Sequence, residues 1–312
     1  MADMVFSGVT FSGGYTIQLP PPSYKAIFGY GSASSGTTTS LSNLVSNTGV
    51  VSTDTTGVGS ARAGLAAATY GSDKAIFGYG TLDLGLTYTA ITNLVSNTGV
   101  VATDTTGVGT ARSYLAAAGY GTDKAIFGYG SGPDTAVTNL VSNTGVVGND
   151  VTGVGTARRQ LAAATYGTDK AIFGYGRSET NITNKVSNTG VVSTDTAGVG
   201  TARYYLAACG YGSSGQALFG YGTSDTTVSS VTNLVSNTGV VSTDTTGVGT
   251  IRVGLAAARY GSSGQALFGY GSNFAGTYYS MTNLISNTGV VATDTTGVGT
   301  ARFGLAAASY GT

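Results

Sequence analysis

The chain has 312 residues, 51 of them glycine and 20 tyrosine, with no histidine and no tryptophan, and only 9% are charged, against a usual share of about 25%. Its 14 acidic and 14 basic residues cancel, so no long-range field draws in nucleic acid or an anionic membrane surface. Without histidine the commonest proton shuttle and metal ligand are both missing. No catalytic residue, metal or cofactor is expected, and the chain reads as a non-enzyme.

In chain order, the first 23 residues stand outside the repeat that follows. They lack the basic start and continuous apolar core of a signal peptide, and no apolar run approaches the roughly 20 residues that span a bilayer. A mature, soluble protein made inside a cell is the expectation. Val5, Phe6, Val9, Phe11, Tyr15 and Ile17 alternate with small and polar residues up to Pro20, Pro21 and Pro22. Residues 1–23 therefore read as a docking arm that adds a strand or seats on a neighbour, with the prolines as a stiff break. The plainer alternative is that the arm covers the rim of its own fold.

Residues 24–312 are one sixfold repeat. FGYG begins at Phe28, Phe77, Phe127, Phe173, Phe219 and Phe268, and SNTGVV recurs at Ser46, Ser96, Ser142, Ser187, Ser236 and Ser286. An arginine before LAAA or LAAC recurs at Arg62, Arg112, Arg158, Arg203, Arg252 and Arg302, and successive landmarks lie 45 to 50 residues apart. That period suits propeller blades. Gly-Ser-Asp, Gly-Thr-Asp or Ser-Ser-Gly separates two β-compatible runs, and Asn-Thr-Gly separates two more, giving two hairpins per unit. The strands are the alanine run (strand one), KAIFGYG or QALFGYG (two), TNLVS (three) and GVVSTDTTG (four). The alanine runs are too short and uncapped for helices. Small side chains suit the innermost strand, where sheets converge on an axis. Cys209 replaces the alanine of the other units and reads as a small buried side chain.

The chain enters the repeat at strand two and leaves it at strand one. Pairing Arg302 to Gly311 with Lys25 to Gly31 completes the split unit and removes its free edges. The expected fold is all-β, a six-bladed β-propeller of four-stranded blades, with the ring closed by pairing the C-terminal strand with the N-terminal blade.

An apolar-Phe-Gly-x-Gly strand, a variable loop, an Asn-apolar strand and a following arginine resemble the kelch-type propeller from Lys25 onward. The chain departs from it in carrying Gly-Tyr-Gly for a glycine pair and in lacking the tryptophan, so the resemblance implies architecture and no kelch-specific partner. The phrasing KAIFGYG, SNTGVV and TDTTGVGTAR also resembles repeat proteins of tailed bacteriophages. That resemblance implies a virion structural protein, tail or tail-associated, made in the host cytoplasm. Its partners would be other virion proteins and, in host recognition, a host-surface glycan.

Comparing the six units locates variation in the loop between strands two and three and in the two residues after each arginine. An up-down-up-down trace puts both on one face, leaving the opposite face uniform. Recognition on rigid scaffolds concentrates in such loops. The candidate binding residues are Tyr88, Tyr114, Arg159, Tyr204, Tyr205, Phe274, Tyr278, Tyr279 and Phe303, with drift of unconstrained loops as the alternative. Asp54 and its five counterparts each stand alone in their loops, which suits a turn cap better than calcium. The six arginines read as each paired with a nearby aspartate of the same or the next unit, since unpaired like charges around an axis would repel. A carbohydrate-binding propeller lectin, with sites between blades on tyrosine faces, is the second functional expectation.

Overall fold

The apolar-Phe-Gly run forms the centre strand of a three-stranded antiparallel sheet six times over. This is seen in a computed structural model that describes residues 24–33, 36–83, 87–178 and 180–311. The six arm residues named above lie outside the described residues. The centre strands are β1 (Lys25–Gly29), β6 (Lys74–Gly78), β9 (Lys124–Gly128), β12 (Lys170–Gly174), β15 (Gln216–Gly220) and β18 (Gln265–Gly269). Each pairs with an alanine strand: β20 (Ala306–Tyr310), β5 (Ala66–Tyr70), β8 (Ala116–Tyr120), β11 (Ala162–Tyr166), β14 (Ala207–Tyr211) and β17 (Ala256–Tyr260), in that order. On the other edge lie β4 (Ser42–Val45), β7 (Thr92–Val95), β10 (Thr138–Val141), β13 (Thr183–Val186), β16 (Thr232–Val235) and β19 (Thr282–Ile285). One interstrand loop adds the short pair β2 (Ser32–Ala33) and β3 (Thr37–Thr38). No α-helix occurs among the described residues. The chain is an all-β, β-propeller-like repeat.

Burial follows from position in the sheet. In the alanine strands alternate residues are buried, as with Ala66, Ala68 and Tyr70, whereas four consecutive centre-strand residues are buried because both sheet faces are covered. What covers them is the next sheet. One apolar cluster joins Ala66, Ile76 and Tyr79 to Leu115, Phe127 and Val141, and five equivalent clusters follow. The cluster of Ala256, Leu267 and Tyr270 with Ala26, Phe28 and Val45 packs the last sheet on the first. In the split unit β1 pairs with β20, Phe28 opposite Ala307.

The FGYG glycine has a steric reason. A Cβ on Gly78 would stand 2.7 Å from Cζ of Phe127 in the next sheet, so only glycine lets that ring seat. The same ring packs against Tyr79 at 5.1 Å between centroids.

The fourth segment of each unit is not a regular strand. Val45 bridges Val51 and Ser42 bridges Thr55, so a step of three residues on one side faces four on the other, the geometry of a bulge. Asn43 fills the gap, its Nδ2 donating to the Ser52 carbonyl at 3.0 Å and to Asp54 Oδ1 at 2.9 Å. A side chain thus makes the bonds that a continuous ladder would have made.

The repeated aspartates and arginines join neighbouring units. Asp104 accepts from the Ser60 amide and from the Ser60 hydroxyl at 2.6 Å, one unit back in the chain, and Asp54 takes the same bonds from Thr300. Arg62 is fully buried. Its Nε donates to the Tyr79 carbonyl, its Nη1 to the Ser60 carbonyl and its Nη2 to Asn93 Oδ1. Its guanidinium also lies 4.3 Å over the Tyr30 ring, a cation–π contact. An aspartate stands within 4.0 Å of Arg62, Arg203 and Arg252, so the expected ion pair is present there. Asparagine and backbone carbonyls nonetheless hold the arginine more closely than the carboxylate does.

Candidate binding face

The second residue after each arginine is Gly64, Tyr114, Gln160, Tyr205, Gly254 or Gly304, and all six have positive φ, between 52° and 63°. Their backbones are joined in sequence. Tyr114 N donates to Gly64 O, Gln160 N to Tyr114 O, Tyr205 N to Gln160 O, Gly254 N to Tyr205 O and Gly304 N to Gly254 O. Gly64 N donates to Gly304 O, which returns the series to its start, at distances of 2.6 to 2.9 Å throughout. The same six residues, with the alanines that follow them, line a cavity of about 120 Å³.

Three of the six positions carry side chains where glycine would be unstrained. A non-glycine residue held in the left-handed region costs on the order of 1–3 kcal/mol. Two of these residues build an aromatic cluster. Tyr205 is its hub, with ring centroids 5.1 Å from Phe303, 5.5 Å from Tyr114, 5.6 Å from Tyr204 and 5.7 Å from Phe274. Phe274 is 53% exposed and caps the group toward solvent. Burial pushes the Tyr205 phenol well up, with the Tyr114 phenol adding to it. Burial raises Tyr114 too, against the opposing bond with Tyr205. Both hydroxyls stay neutral at physiological pH.

The other candidates are placed differently. Tyr88 lies against Gly132 of the next unit, where an added Cβ would meet its ring at 3.2 Å. Tyr278 bridges Ser272, and the Tyr279 amide donates to Gly271 O at 2.8 Å; both are half-buried. Arg159 is tied to Asp134 by a 2.6 Å ion pair. Arg177, not foreseen from sequence, lies 5.3 Å over Tyr204. The cluster thus unites Tyr114, Tyr204, Tyr205, Phe274 and Phe303.

No protein-family model matches the chain, and no curated protein matches it. The site is therefore read from its own geometry.

The tyrosine faces between sheets are already occupied. Tyr30 and its counterparts are buried at 0% exposure, packed under arginine and against phenylalanine, which leaves no ring there for a sugar. Cys209 is buried, and burial pushes its thiol well up. Sequence comparison passed over one variable position, the residue before each Tyr-Gly: Thr69, Gly119, Thr165, Gly210, Arg259 and Ser309. These six line a second, wider cavity of about 420 Å³ at the opposite end of the alanine strands. The face expected to be uniform is unlike from unit to unit at its centre. The signal was present in the repeat, but it was a single residue inside an otherwise invariant run.

Proposed function

We propose that the chain is a six-bladed β-propeller of four-element blades with a closed ring, acting as a non-enzymatic structural and binding protein. The β1–β20 pairing and the cycle of hydrogen bonds through Gly64 and Gly304 support closure. The observation that carries binding is the aromatic cluster centred on Tyr205. Its backbone strain has no counterpart where units two, six and one, numbered by their centre strands in chain order, use Gly64, Gly254 and Gly304, and rigid amphipathic rings are well suited to contact at low entropic cost. The partner is another protein surface. The resemblance of the repeats to those of tailed phages makes the virion, tail or tail-associated, the proposed location.

Quantitative mass spectrometry of purified tailed particles tests the location: the chain should be present in fixed proportion to other tail components, and its absence from intact particles would sink the assignment. Tyr205→Gly with Phe303→Val, both residues that other units carry at those places, should release the protein from particles while leaving its fold intact.

A further inference from the structure

The wide cavity at the other end of the alanine strands has its own chemistry. Alanines wall it, and its polar groups come from the variable ring and from the hairpin turns, among them Ser72, Thr122, Thr168, Ser213 and Ser262. Arg259 is the only charged member of that ring. Its Nε is buried with no hydrogen-bond partner among the described residues, and its guanidinium lies 5.6 Å over the Tyr24 ring, a cation–π contact that leaves its hydrogen-bond donors unused. No carboxylate among the described residues lines the cavity. The other lining cation, Lys124, is paired with Asp123 at 2.8 Å.

The charge pattern around the mouth is unequal. Units two, three and four each place an Asp–Lys pair in the hairpin turn, Asp73–Lys74, Asp123–Lys124 and Asp169–Lys170. The turns nearest Arg259 instead read Ser-Ser-Gly-Gln, and the Oε1 atoms of Gln216 and Gln265 are buried without partners. Among the described residues, Arg259 therefore sits in a sector without acids. A cation with no carboxylate beside it in a partly desolvated cavity is unfavourable, and a bound anion relieves it.

The hydroxyls of the ring narrow the ligand further. Thr69 Oγ1 donates to Ser309 O at 2.8 Å, Thr165 Oγ1 to Gly119 O at 2.8 Å, and Ser309 Oγ to Arg259 O at 2.7 Å. Each proton is committed to a backbone carbonyl, so each oxygen offers the cavity only lone pairs. A matching ligand needs one anionic group for the guanidinium and several hydroxyl donors for these oxygens. Sulfate has acceptors alone, and a simple aliphatic acid has no further donors.

We propose that this cavity binds a hydroxylated carboxylate of monosaccharide size, a uronic acid. Arg259 takes the carboxylate, and Thr69, Thr165 and Ser309 accept from ring hydroxyls. Arginine suits the role because its planar fork pairs a carboxylate through two parallel bonds. The site is separate from the aromatic face and stands whether or not that face binds a virion partner.

Isothermal titration of the full chain with sodium glucuronate is the test, with glucose and sulfate as comparators. Glucuronate should bind one per chain, with both comparators weaker by about tenfold or more. Arg259→Thr, which installs the residue that units two and four carry at this place, should weaken glucuronate by about tenfold or more without lowering the melting temperature of the free protein. Thr165→Val should weaken it severalfold, and it reads the site independently should the arginine variant fail to fold. Silence toward glucuronate at millimolar concentration, undiminished binding by both variants, or equal binding of sulfate would each overturn the assignment.

Discussion

Glycine and its replacements carry much of the meaning at the level of single residues. Gly78 is glycine because the Phe127 ring occupies the space of a Cβ, whereas Gly64 and Gly304 relieve a positive φ, and Gly254 has both reasons, since a Cβ there would meet the Phe303 ring. Gln160 occupies the second kind of position at φ 58° with a buried, unpartnered Oε1. Gln160→Gly removes a left-handed side chain and an orphaned acceptor, against the extra freedom glycine brings to the unfolded chain. The net expectation is a gain of about 1 kcal/mol, read as a higher urea midpoint with unchanged slope. A loss of stability would show that Gln160 holds a structural role its bonding does not reveal. The aromatic candidates were legible in the sequence because they vary among otherwise equal units. Their convergence on Tyr205 was not, because residues as far as 189 positions apart in the chain, Tyr114 and Phe303, pack on the same ring only in the folded protein.

At the level of elements, alternation and turn chemistry identified the centre and alanine strands, since each centre strand is buried on both faces and each alanine strand on one. The fourth element was legible only as a β-like stretch. Its bulge arises because the Asn43 amide and Asp54 carboxylate satisfy bonds that periodicity assigns to a ladder. These aspartates also couple units to one another, and this coupling is sensitive to acid. Burial pushes Asp54 up, but bonds from the Thr300 hydroxyl, Asn43 and the Thr300 amide outweigh it, and its pKa lies below the ordinary value. Asp104, Asp150, Asp195, Asp244 and Asp294 are lowered in the same way. A folded-state pKa below the unfolded one gives stability that is present above the unfolded value and lost as pH falls through the folded one. The melting temperature should therefore be flat above about pH 5 and fall below about pH 4. Calorimetry across that range checks this, and Asp104→Asn should lessen the slope. A melting temperature constant down to pH 3 would contradict the coupling.

For the whole molecule, the split unit decides how the ends behave. Tyr310 lies opposite Lys25 as Tyr70 lies opposite Lys74, so the seam copies an ordinary hairpin in which the turn has been cut. A circular permutant that joins Tyr310 to Lys25 through Gly-Ser-Asp and opens the Tyr70–Lys74 turn should fold with a melting temperature within a few degrees of the parent. Removal of residues 306–312 should instead expose the β1 edge and produce oligomers by size-exclusion chromatography. A monomeric truncated protein with parental stability would show that the seam is dispensable. The sequence alone determined the repeat, its phase, the strand-forming runs and the small-residue character of the inner strands, because these depend on local periodicity and side-chain size. Tertiary structure decided the bulge, the burial of the arginines, the aromatic hub and the placing of Arg259 in a cavity that no carboxylate among the described residues lines. Those depend on which residues of different units face one another, and a repeat period does not specify that.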